Sequence, residues 1–193
     1  RGFRRVKRPD EPGLEKNSTV SEGIAYGMLI AVYMDDQPLF NDLWQYALQF
    51  PSKAIVGTSD VDTMLMNWFV KADGNLDTST DAGCKCQKFL GAATDADEDM
   101  AWALIMADKQ WGTAPVASKS YLQHAKDLLS AIWNYEIFES KLPRNGARWG
   151  DWNNLNISYF APAFYRVFAT VSGQSLWGTD VVKTVYDTID KNL

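Results

Sequence analysis

Residues 91–111, GAATDADEDMAWALIMADKQW, decide how this chain is read. Four carboxylates, Asp95, Asp97, Glu98 and Asp99, fall within five residues, and the uncharged run AWALIMA (101–107) follows at once. Carboxylates are costly to bury unless paired or hydrogen-bonded, so acids on the lip of an apolar helix need a reason. One reason requires no function. Thr94 or Asp95 can cap the helix, Asp95 and Glu98 fit a capping box, and first-turn acids complement the positive helix end. That accounts for any one of the acids and leaves another on the same turn free for chemistry.

Working outward, helices of two styles alternate. Residues 24–34 carry no charge, which predicts a helix buried nearly all round. Residues 37–50 place Leu39, Phe40, Leu43, Trp44, Ala47 and Leu48 on one stripe, the pattern of an amphipathic outer helix. Residues 61–70 are again largely apolar, and 71–91 form a long polar, Gly-containing loop. The pattern repeats. A helix with an uncharged middle covers 97–110, and 118–135 is amphipathic through Leu122, Leu128, Leu129, Ile132 and Trp133. The loop 142–156 leads to the apolar 158–171, where Pro162 suits a first turn, and then to the amphipathic 179–192. No convincing alternating strands are visible.

A buried helix followed by an amphipathic one, three times over, implies inner and outer rings of helices. A simple four-helix bundle would make every helix amphipathic. The expectation is an all-α fold, an array of α/α hairpins. Six or seven helices make only part of a closed double ring, so residues 1–193 read as one domain incomplete at its C-terminal end.

Composition narrows the function. With 46% hydrophobic residues and eight Trp in 193 residues, the chain is a folded globular protein. Net charge is −5, and Arg1, Arg4, Arg5, Lys7 and Arg8 crowd the first eight residues, leaving about −10 on the remainder. An acidic body argues against nucleic acid as a partner. No stretch approaches the 18 uncharged residues of a membrane span. The basic start has no apolar segment behind it and is not a signal peptide, although a mature secreted protein would look the same. Cys84 and Cys86 are too close for an ordinary disulfide, and no His stands near them to complete a metal site. The only His, His124, reads as a surface or half-buried helix residue.

Loops and helix ends carry what remains. Glu22, in Ser21-Glu22-Gly23, heads a helix too apolar to solvate it. Tyr26, Trp68, Trp149, Trp152 and Tyr159 lie near loops or helix ends. Carboxylates among aromatic platforms suit carbohydrate, whose C–H faces pack on rings while hydroxyls bond to acids; core packing is the competing explanation for each ring. Trp44, Trp102, Trp111 and Trp133 fall in or beside helices and are assigned to packing.

VSEGIAYGMLIAVYMDD (20–36) and GAATDADEDMAWALIMADKQWG (91–112), with RWGDW and SYFAPAFYRVFA, resemble glycoside hydrolase family 8, the inverting endo-glycanases. The resemblance covers most of residues 6–190, and its nearest likeness is to chitosanases and β-glucanases. It implies an (α/α)6 barrel of alternating inner and outer helices, of which this chain covers roughly the N-terminal half. It implies Glu22 as proton donor and Asp95 as the active-site aspartate that holds the sugar at the cleavage point. Trp68 matches a stacking tryptophan; Trp152, Tyr26 and Asp97 join it as substrate-binding candidates. The segment 77–88, DTSTDAGCKCQK, departs from the family pattern, and the base of an inverting pair falls beyond Leu193.

The activity so implied is endo-hydrolysis of a β-1,4-linked polysaccharide with inversion, first of all of cellulose-type glucan. Chitosan, mixed-linkage glucan and xylan are the alternatives within the family. No cofactor and no metal is called for. The expected location is extracellular, and a complementary chain or a missing C-terminal segment is the expected partner. The rival from another class is a carbohydrate-binding protein without turnover.

Overall fold

The computed structural model describes residues 2–13, 15–56, 59–79, 90–112, 116–148 and 154–192. Six α-helices carry the architecture: α1 (Ser21–Tyr33), α2 (Gln37–Ala47), α3 (Thr94–Trp111), α4 (Tyr121–Tyr135), α5 (Pro162–Ser172) and α6 (Asp180–Asn192). They pair as successive hairpins, α1 with α2, α3 with α4 and α5 with α6, and α1 packs along α3. The apolar α1 and α3 do pack on each other, each paired with an amphipathic partner, whereas α5, read as a third buried helix, buries only Tyr165 and Phe168.

The boundaries follow local chemistry. Asp36 caps α2 by accepting from the Leu39 amide (3.0 Å), with Pro38 in the first turn. Ser120 caps α4 through the Gln123 amide (3.1 Å), and Gly173 ends α5 in the left-handed region at φ 75°. The core fills the space between hairpins with Met28, Phe40, Trp44, Leu104, Leu128 and Tyr165, all buried. Gly27 is the closest approach. A Cβ there would sit 3.0 Å from both Leu43 Cδ1 and Val6 Cγ2, so the bare backbone lets α2 and the N-terminal arm close on α1.

Several expectations change. Residues 61–70 are not helical. Strands β2 (Pro51–Val56) and β3 (Ser59–Met66) form an antiparallel pair with Lys53 opposite Asp62 and Ala54 opposite Val61. Along β3, Val61, Thr63 and Leu65 turn inward while Asp60, Asp62 and Met64 face solvent, a period of two that the apolar Met64 disguises. A second ladder joins β1 (Thr19–Val20) to β4 (Phe69–Val70). Nor is α1 buried all round: Tyr26, Ile30, Tyr33 and Met34 are 56–73% exposed along one side. Its uniformly apolar sequence hid a face that its neighbours in this chain leave uncovered. His124 is buried, not half-buried, with Nε2 2.8 Å from the Val116 carbonyl oxygen and its ring edge-on to Trp44. No helix among the described residues is long and apolar enough to cross a membrane.

Candidate active site

The two-residue ladder between β1 and β4 sets the site. β1 runs directly into α1, so Glu22 stands in the first helical turn, and Trp68 immediately precedes β4. The Ser21 amide donates to the Trp68 carbonyl (2.9 Å), and the Trp68 amide donates to the Gly91 carbonyl (2.8 Å). The Asn67 side chain accepts from the Gly91 amide (3.1 Å). Gly91 leads into α3. The Glu22 turn and the segment leading into α3 are thereby both bonded to the backbone of Trp68.

Glu22, Trp68, Ala93, Asn145 and Tyr159 line a cleft of about 290 Å³, a size that suits a small segment of a ligand. Burial pushes the Glu22 carboxyl above its usual range, against the opposing pull of its own amide, the Ser21 hydroxyl and Arg8. Asp95 is pushed up to about 6, first by burial and then by the negative charge of Glu22. Tyr159, which ends the short 3-10 turn Ile157–Tyr159, is raised to about 12 by burial and by Asp95 and Glu22. Glu22 and Asp95 thus act on each other and on the same tyrosine. Tyr26, one turn after Glu22, is largely exposed and raised by burial, Asp99, Asp95 and Glu22.

The capping explanation of the acidic run fails. The residue before α3 is Ala93, and no side chain caps the helix. Asp97 and Glu98 are buried. Asp97 Oδ1 accepts from the Met66 amide (3.2 Å), which fastens α3 to β3. Glu98 Oε1 accepts from the Tyr165 hydroxyl (3.0 Å), which fastens α3 to α5, and the Ala161 amide donates to that same hydroxyl. Both carboxyls are raised well above their usual values by burial. Asp97, expected among the substrate contacts, has no exposed surface and is not among the residues that line the cleft. Trp102 stacks flat on Phe164 (4.7 Å between centroids), Trp133 meets Trp177 edge-on, and Trp44 is buried, as packing requires. Trp149, Asp151, Trp152, Cys84 and Cys86 lie outside the described residues.

Two participants escaped the sequence reading. Asn145 lines the cleft, and its carbonyl accepts from the Thr94 amide (3.4 Å). Glu136, just past the end of α4, is buried beside Thr94 and Asp95 and pushed to about 8 by burial. Its only signal in sequence was a lone acid at a helix end, which reads as solvated surface.

The sequence pattern of glycosyl hydrolases family 8 matches residues 2–192. The chain belongs to that family. It is 38% identical over 192 residues to Endoglucanase 2 of Ruminiclostridium josui, covering 99% of this chain and 37% of that one. It is 40% identical over 177 residues to Endoglucanase A of Acetivibrio thermocellus, covering 91% and 33%. Among solved structures, the apo beta-1,3-1,4-glucanase of Paenibacillus sp. X4 superposes with a TM-score of 0.71 at 28% identity, covering 90% of this chain and 43% of that one. The six helices are a portion of the (α/α)6 barrel of family 8. This chain spans about a third to two-fifths of the length of these relatives.

Proposed function

We propose that this chain carries the proton-donor side of an inverting endo-β-1,4-glycanase, with Glu22 as general acid. The observation that carries the reading is Glu22 itself. It is a carboxyl whose pKa burial raises, and it lines a cleft that also presents Trp68 and Tyr159. A raised pKa is what a donor to a departing glycosidic oxygen needs near neutral pH.

In this scheme the sugar ring packs on Trp68, and Asp95 accepts hydroxyl hydrogen bonds and steadies positive charge developing at the anomeric carbon. Glu22 gives its proton to the bridging oxygen as the C–O bond breaks. Water attacks from the opposite face and surrenders its proton to a base some 6.5–9.5 Å from Glu22. That base belongs to the remainder of the barrel. The exposed Tyr26, Ile30 and Tyr33 of α1 support the same division of labour. So does the apolar groove formed by Trp102, Ile105, Met106 and Val167, which a C-terminal segment or complementary chain would cover.

Cellulose-type glucan is the first substrate, supported by the endoglucanase relatives. Mixed-linkage glucan follows from the superposed glucanase, and chitosan and xylan complete the set to be assayed. Action on a polymeric substrate supports an extracellular location for the protein. The test is Glu22→Gln in the full-length protein, assayed by reducing-sugar release on all four polymers. Loss of about 10²–10⁴ in turnover with the fold retained is expected; a folded variant with near-normal turnover removes Glu22 from the donor role. A parent that binds oligosaccharide without releasing reducing ends favours the binding-protein alternative.

A further inference from the structure

The turn that brings Tyr159 to the cleft has little burial to hold it. Asn154, Asn156, Ile157 and Ser158 are exposed, and Leu155 and Tyr159 are only half-buried. Segments with few buried apolar contacts open easily, so the place of this turn depends on hydrogen bonds. Asn145 supplies two of them. Its Nδ2 donates to the Asn154 carbonyl (2.8 Å), and its Oδ1 accepts from the Asn156 amide (2.9 Å). The Asn156 carbonyl accepts in turn from the Tyr159 amide (3.0 Å), and the Asn156 side chain accepts from the Ser158 hydroxyl (2.8 Å). One side-chain amide thus grips the entry to the turn and the residue on which the turn closes. The task explains the residue type: a donor and an acceptor are needed together, which a carboxylate does not offer.

Asn145 is itself fixed from two directions. The residue before it, Arg144, donates its amide to the Glu136 carbonyl just past α4 (2.7 Å). The Asn145 carbonyl accepts a longer bond from the amide of Thr94, the neighbour of Asp95 at the head of α3 (3.4 Å). On the far side of the turn, the Ala161 amide donates to the Tyr165 hydroxyl (3.0 Å), which donates to Glu98 Oε1 on α3 (3.0 Å). Tyr165 and Glu98 are buried, so this second anchor belongs to the core. Both flanks of the Tyr159 turn are therefore tied to the start of the helix that carries Asp95. One tie runs through the core, and the other runs through Asn145 at the cleft.

On the reading of this cleft as the sugar site, we propose that Asn145 is a positioning residue, which holds Tyr159 in place relative to Glu22 and the Asp95 turn. Asn145 lines the cleft with Glu22, Trp68 and Tyr159, yet its side-chain nitrogen and oxygen are both engaged by the backbone of residues 154–156. Its effect on the reaction therefore passes through the turn it holds. Removing it leaves the Tyr165 anchor in place and frees the other flank, so Tyr159 shifts while the helices stay packed.

The test is a double-mutant cycle in the full-length protein: Asn145→Ala, Tyr159→Ala and the two together, assayed for kcat and KM on soluble glucan. Asn145→Ala alone should lower kcat about tenfold or more with KM within about threefold, because a small misplacement of a positioned group is felt mainly in the chemical step. In the Tyr159→Ala background the same change should lower kcat less than about twofold. Equal losses in the two backgrounds overturn the proposal, as does parent-like kcat in Asn145→Ala. Amide hydrogen exchange gives a readout free of turnover. Asn145→Ala should speed exchange at Asn156 and Tyr159 about tenfold or more and leave Ala161, held by Tyr165, at the parent rate. Parent-like exchange at Asn156 and Tyr159 overturns the tether, and equal acceleration at Ala161 reduces Asn145 to general stability. Should the double variant be too slow to assay, these rates and the kcat of Asn145→Ala decide. A parent inactive on every glucan refutes the hydrolase reading, and the exchange rates still decide whether Asn145 holds the turn.

Discussion

In the full-length protein, Asp95→Asn should raise stability at neutral pH while removing most of the activity. The Asp95 carboxyl moves from its usual 3.8 to about 6 on folding, by burial and by the nearby Glu22. A shift of that size is worth about 3 kcal/mol at 1.36 kcal/mol per pH unit. Asp95 retains some contact with solvent, and screening reduces this to about 1–2 kcal/mol. The sign is fixed by linkage. Below pH 4 both folded and unfolded states hold the proton, and Asp95 costs nothing. Between pH 4 and 6 the unfolded chain releases it first, so stability falls, and above pH 6 the full penalty stands. Asparagine has no proton to lose. Urea unfolding of parent and Asp95→Asn at pH 4 and pH 7 should therefore give similar values at pH 4 and an advantage of about 1–2 kcal/mol for the variant at pH 7. Hydrolysis by the variant at pH 6 should be strongly depressed, and the product anomer of the parent, followed by proton NMR, should be inverted. An advantage independent of pH, or a variant less stable at pH 7 than at pH 4 relative to the parent, would refute the electrostatic account of Asp95. A retained anomer would instead return Asp95 to a nucleophilic role.

Trp68→Ala should weaken binding of long oligosaccharides by about 1 kcal/mol or more, measured by calorimetry, with a smaller effect on the binding of single sugars. Unchanged affinity alongside a large loss of thermal stability would assign the indole to packing. Residues 1–193 produced alone should bind an apolar-surface dye along α1 and show no hydrolysis of glucan or chitosan; a dye-silent monomer with brisk inverting activity would place the base within this chain. Leu104→Ala, in the fully buried middle of α3, should cost about 2–5 kcal/mol in urea unfolding; a cost below about 1 kcal/mol would mean that α3 is not a core helix.

The hairpin order was legible because burial leaves a periodic mark: α2 and α4 show an apolar stripe, and α1 and α3 show charge-free runs. The stretch 61–70 was not legible, because strand β3 puts Met64 on its solvent face and so blurs the alternation that would reveal it. The uncovered side of α1 was invisible for a related reason. Apolar residues that this fold leaves exposed look the same in sequence as residues buried within it. Glu22 and Asp95 were recognisable by motif and by chemical incongruity, acids set against apolar helices. Their neighbour Glu136 was not. A carboxyl at a helix end is ordinary in sequence, and only the folding of the 136–148 loop against Thr94 makes it unusual.

Trp68 is bonded through both of its backbone polar groups, its carbonyl accepting from the Ser21 amide and its amide donating to the Gly91 carbonyl. It works as a rivet through three layers of chain. The backbone that carries Glu22, the residue that carries the indole and the segment that enters the Asp95 turn are therefore tied directly to one another. Whatever completes the barrel need not tune these three groups to one another. In the proposed scheme, the base is the one group left to be brought up to this bonded segment.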